Sequence, residues 1–155
     1  MGQFFTSATR SDTDPKRITN VRLKKLLLKH FKCTLTDTYA TNVFPFVKHG
    51  PMSARIDSAI LLKAASEFAV RQIEIVAPRF AVCLGKVAFG ALASAAGRPR
   101  AQSLNDAISS PFMLGKTKVW CQSHTGQMGV NNRGGIENIS KDWAAMAEQF
   151  FSGRT

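Results

Sequence analysis

An α/β domain, with helices layered on both sides of a short, mostly parallel sheet, is what three features of this chain predict. FAVCL (Phe80 to Leu84) is an unbroken apolar run of strand length, as in a strand covered on both faces; Gly85 then turns the chain into an alanine-rich helix ending near Gly97. A second strand around Lys118 to Gln122 lies between further helical patterns, so strands are spaced by helices as βα crossovers require. The length of 155 residues suits one domain spanning 1–155, whose first 15 residues read as irregular. In sheets of this kind ligands bind beyond the carboxyl ends of the strands.

The remaining elements follow in order. Leu23, Leu26, Leu27 and Phe31 recur at helical spacing, and Arg22, Lys25, Lys29 and Lys32 line another face that is expected to stay in solvent. Thr38 to Phe44 is rich enough in β-branched and aromatic residues for a strand, with Asn42 near its end. The segment FPFVKHGPM, with two prolines and a glycine, reads as loop. Ser53 is the expected N-cap of a long helix in which Ile56, Ile60, Ala64 and Phe68 form an i+4 row, ending at Pro78. A short helix is expected over Ser103 to Ile108. Trp143, Met146, Ala147 and Phe150 mark the apolar face of a final helix with Ser140 near its start. There is no internal repeat.

A hydrophobic share of 45% is ordinary for a globular protein, but the formal net charge of +11 is not, and it makes a polyanion such as nucleic acid the first partner to consider. The Arg22 to Lys32 stripe would add salt-sensitive, nonspecific affinity for DNA. Cys33, Cys83 and Cys121 are odd in number, widely separated and set in or beside apolar segments, a usage that fits buried inert thiols in a reducing cytoplasm better than a disulfide framework or a metal knuckle. No apolar run approaches the length of a membrane span, so no membrane partner is expected. The Ser, Thr and Arg content of the start resembles a mitochondrial presequence, against which Asp12 and Asp14 argue.

The most informative stretch comes late. The strand-like KVWCQS delivers His124 into a glycine-rich loop, HTGQMGVNNRGG, a layout that sets an imidazole beside a flexible clamp. With TNVFPFVK following a strand, a helix running into IVAPRFAVCLGKVAFGAL, and SHTG before a loop and a closing tryptophan helix, nearly the whole chain resembles the uracil-DNA glycosylase superfamily, although no single motif is exact. The resemblance implies a three-layer α/β/α fold and hydrolysis of the N-glycosidic bond of uracil or a related damaged base in DNA, with no metal or organic cofactor. It also implies roles. Asn42 would read the base edge, its amide oxygen and nitrogen pairing with the N3–H and O4 of uracil; the alternative is that it merely ends a strand and caps a turn. His124 would donate to uracil O2 as charge builds on the departing base, although Thr125 and Gly126 stand where the family's motif has Pro-Ser.

By the same resemblance, Met128 or Val130 would be the apolar wedge that holds the nucleotide out of the stack, and Arg133 a phosphate contact. GQFF is similar to the family's Gly-x-x-Phe segment, which would make Phe5 the stacking platform; otherwise it plugs a core edge. Lys48 and His49, in the loop after Asn42, either touch a phosphate or stay a solvated charged loop. Leu84 and Gly85 match the family's turn into a helix as scaffold. Phe46 stands where the iron-sulfur branch places a cysteine, which disfavours that branch.

One departure bears on activity. The family's first strand and the catalytic loop carrying an Asp, Glu or Asn that positions water should precede GQFF, and the chain begins at Met1. The expectation is therefore a fragment, a strand supplied by a second chain, or a remodelled fold. Two alternatives stand beside the enzyme: a noncatalytic DNA-binding or interaction module on the same fold, and a basic α/β protein that binds a nucleotide or nucleobase.

Overall fold

The computed structural model describes residues 18–47, 50–51 and 54–153. Phe5, Asp12, Asp14, Lys48, His49 and Ser53 lie outside the described residues. The chain divides into two compact units, one made of Met1–Tyr39 with His124–Thr155 and the other of Ala40–Ser123.

In the Ala40–Ser123 unit, helix α2 (Ser58–Ala64) begins at Asp57, whose Oδ1 accepts from the Ala59 amide at 2.8 Å and the Ile60 amide at 3.3 Å. Those bonds satisfy two of the orphan donors of the first turn, so Asp57 takes the capping role expected of Ser53. The helix continues through a π segment (Ala65–Ala69) into α3 (Val70–Val76), and Ala77, at φ +44°, ends it just before Pro78. The π segment changes which side faces inward. Ala64 and Ala69, five residues apart, are buried, whereas Ile60 of the expected i+4 row is 55% exposed.

Strand β1 (Phe80–Leu84) runs parallel to β3 (Thr117–Gln122), with Phe80 opposite Lys118 and Leu84 opposite Gln122. The Gly85 amide extends this ladder by donating to the Gln122 carbonyl at 2.7 Å, and its φ of +106°, open to glycine, swings the chain into α4 (Lys86–Ala95). Ser103 and Asp106 form a capping box at the head of α5 (Leu104–Ser109). Strand β2 (Phe112–Leu114) then pairs antiparallel with β3 across the turn Gly115-Lys116. The sheet order is β1-β3-β2, so the sheet is mixed rather than mostly parallel. Among the described residues β3 lies between two partners and is the covered strand, while β1 is only half-buried outside Cys83, in contrast to the cover on both faces that the apolar run Phe80 to Leu84 predicts. Cys83, Phe89, Leu92, Ala107, Val119 and Cys121 form the core of this unit with Ala69.

In the other unit, α1 (Ile18–Leu26) passes into a π turn (Leu27–Phe31) and ends at Lys32, in the left-handed region. Helix α6 (Gln127–Asn132) precedes α7 (Ile136–Ser152), which buries Ile139, Trp143, Met146 and Ala147. Phe31 packs edge-on to Trp143 at 6.0 Å and against Phe150 and Phe151 at 5.9 Å each, the apolar anchor of the α1 segment. Of the basic stripe, Lys25, Lys29 and Lys32 are exposed, as expected, and Arg22 is partly covered. Lys29 Nζ donates to Ser140 Oγ at 3.0 Å, and His30 Nε2 meets the same hydroxyl at 3.0 Å.

Candidate functional site

His124 follows β3 by two residues, and the chain around it is buried: Gln122, Ser123 and Thr125 are sealed from solvent while His124 is exposed. The Gly126 backbone N–H donates to His124 Nδ1 at 2.9 Å. A nitrogen that accepts carries no proton, so the neutral ring holds its hydrogen on Nε2. The local backbone therefore selects the tautomer in which an exposed imidazole presents Nε2–H as a donor.

Two glycines of this loop stand against His124, Gly126 at its ring and Gly129 at its backbone. A Cβ on Gly126 would stand 2.8 Å from His124 Nδ1 and 3.0 Å from Cε1, and a Cβ on Gly129 would overlap the His124 carbonyl oxygen. Gly126 has φ −69°, a value open to every residue, so conformational freedom is not its reason. From α1, Arg22 Nη1 donates to the Thr125 carbonyl at 3.3 Å and Arg22 Nη2 to Gln127 Oε1 at 2.9 Å. Thr125 Oγ1 donates to the Thr19 carbonyl at 3.0 Å. Arg22 had looked like one more cation of a wet stripe; its partners lie 103 and 105 residues away, where no local pattern reaches.

The other loop residues separate in role. Met128 on α6 is 77% exposed and Val130 only 7%, so Val130 is a core residue and Met128 the apolar side chain held out. Arg133 Nε donates to Asp142 Oδ2 at 2.6 Å and Nη2 to Oδ1 at 2.8 Å, a bidentate pair that raises the arginine's already high pKa. That guanidinium ties α6 to α7.

Asn42 lies in the other unit, exposed in an irregular stretch; no strand forms over residues 38–44. β-propensity is realised only with a pairing partner, and among the described residues this backbone joins no ladder. Just beyond it, Phe44 and Phe46 meet edge to face at 5.3 Å, and Phe46 meets Phe68 at 5.2 Å, around a hollow of about 320 Å³ shared with Ile60 and Lys63. Cys83 and Cys121 are register partners across β1 and β3, and burial pushes both thiols up to about 12. They are neutral core groups, unsuited to nucleophilic work.

Fold and site together define a mixed α/β protein that presents a fixed imidazole donor from a glycine loop next to a strand end. The Uracil DNA glycosylase superfamily model matches residues 1–147, and the chain belongs to that superfamily. No curated protein and no solved structure matches it.

Proposed function

We propose that this protein hydrolyses the N-glycosidic bond of uracil, or of a related damaged base, in DNA. The observation that carries the reading is the Gly126 N–H to His124 Nδ1 bond, which leaves Nε2–H to donate to the leaving base. As the C1′–N1 bond breaks, its electron pair goes to the base, and a preorganised donor stabilises the anion more than it stabilises bound substrate. Water adds to C1′ and loses a proton, giving free base and an abasic site.

In this reading the target nucleotide leaves the stack, Asn42 pairs with its base edge, Met128 enters where it stood, and Phe5 stacks on it. The net charge of +11 and Lys48 serve the phosphates. Family membership supports a three-layer α/β/α plan, and the match running through both units supports reading them as one domain. Free thiols at Cys33, Cys83 and Cys121 fit a cytoplasmic setting.

The test is release of uracil from a uracil-containing oligonucleotide by the wild-type chain and by His124→Ala. Loss of roughly two to three powers of ten in release, with DNA binding barely changed, is expected. Equal loss of both would remove the role given to His124. Wild-type protein that binds DNA but releases nothing would be a noncatalytic module on this fold.

A further inference from the structure

We infer that Arg22 is a positioning residue for His124, acting through the peptide group that joins Thr125 to Gly126. This inference rests on the reading of His124 as donor to the leaving base. The carbonyl of that peptide accepts from Arg22 Nη1 at 3.3 Å, and its N–H donates to His124 Nδ1 at 2.9 Å. One planar unit thus carries both bonds, and fixing the oxygen fixes the hydrogen. A cation at the carbonyl also polarises the peptide, which makes the N–H a better donor to Nδ1 and Nε2–H a better donor to whatever meets it.

The rest of the geometry supports a built device. Arg22 Nη2 holds Gln127 at 2.9 Å, and Gln127 Nε2 passes the restraint to Asn131 Oδ1 of α6 at 2.8 Å. The residues on both sides of Gly126 are therefore tied, Thr125 to Thr19 and Arg22, and Gln127 to Arg22. The Thr19 hydroxyl lies 3.3 Å from where a Gly126 Cβ would be, so one face of α1 is fitted against the loop at positions 19 and 22. Both acceptors of Arg22 are neutral oxygens, which leaves its positive charge uncancelled by them.

Arg22→Met, Arg22→Lys and Gln127→Ala test this, with thermal melting to verify folding. The first readout is the ¹⁵N NMR signature of the His124 ring, which reports which nitrogen carries the proton. Wild-type protein should show the Nε2–H tautomer, and Arg22→Met should lose its dominance. The second is uracil release, expected to fall on the order of tenfold in Arg22→Met, the scale of one charge-assisted hydrogen bond, with DNA affinity within about twofold. Arg22→Lys, which keeps the charge but not the fork, and Gln127→Ala should fall between, and they carry the test if Arg22→Met does not fold. An unchanged tautomer and unchanged release in folded variants would overturn the inference. So would a loss of DNA affinity matching the loss of release, which would make Arg22 a phosphate contact. If wild-type protein releases no base, the tautomer still decides: a shift upholds the positioning role while the proposed reaction fails, and no shift removes both.

Discussion

Gly129 approaches His124 so closely that a Cβ added there would reach 2.8 Å from the histidine's carbonyl carbon and 3.0 Å from its Cβ. In an ordinary helix, alanine is favoured over glycine by about 1 kcal/mol. At position 129 of α6 the sign reverses, because the added methyl meets backbone that has no rotamer to retreat into. Gly129→Ala should lower stability by about 1–3 kcal/mol and reduce base release further than the lost stability explains, since relief of the clash moves His124. Denaturant melts beside uracil release measure both. A variant more stable than wild type would mean that the loop yields freely.

The Arg133–Asp142 pair gives a second expectation, because its two side chains are only 25% and 14% exposed. Arg133→Ala removes a bidentate partner from a mostly covered carboxylate and should cost about 1–3 kcal/mol, a range discounted for the water that still reaches the pair. DNA affinity at fixed salt should stay within about twofold. A uniform drop in affinity, with the salt slope reduced by about one, would restore the phosphate role.

A third concerns acid. Burial, then the neighbouring charges of Lys29 and Lys32, hold the His30 pKa below the usual imidazole value, with Ser140 Oγ against its Nε2. Because the folded pKa is depressed, the unfolded chain takes up the proton first. The contribution of His30 is thus complete above about pH 6.5 and is lost as pH falls through the folded pKa. His30→Gln should flatten the fall in melting temperature between about pH 7 and 5. An identical slope in the variant would show that His30 does not set it.

What was legible in the sequence was what neighbouring residues decide among themselves. Phe80 to Leu84, the turn at Gly85 and the apolar face of α7 were readable because strand length, a positive φ and helical spacing are local properties. β2 was missed because three residues make a strand only by virtue of a partner, although the Gly115-Lys116 turn was a usable signal for the hairpin. Thr38 to Phe44 is no strand for the converse reason: the propensity is present, and among the described residues no partner pairs with it. Beyond Ala64 the inward face escaped periodicity because the π segment that follows α2 shifts the repeat by one residue, burying Ala69 rather than Phe68. At the site, His124 and its glycines stood out, whereas the tautomer depends on where one amide points and Arg22 on partners more than a hundred residues distant.

An exposed imidazole between sealed neighbours also says something about time. A histidine borne on a swinging loop would have to close over its ligand, adding a microsecond-to-millisecond rearrangement to every encounter. Here Ser123 and Thr125, on either side of the ring, are already buried, so the exposed imidazole is presented without such a rearrangement. In the proposed reaction, how often a base opens and swings out of the duplex, rather than the closing of a loop around His124, would then set the pace of engagement.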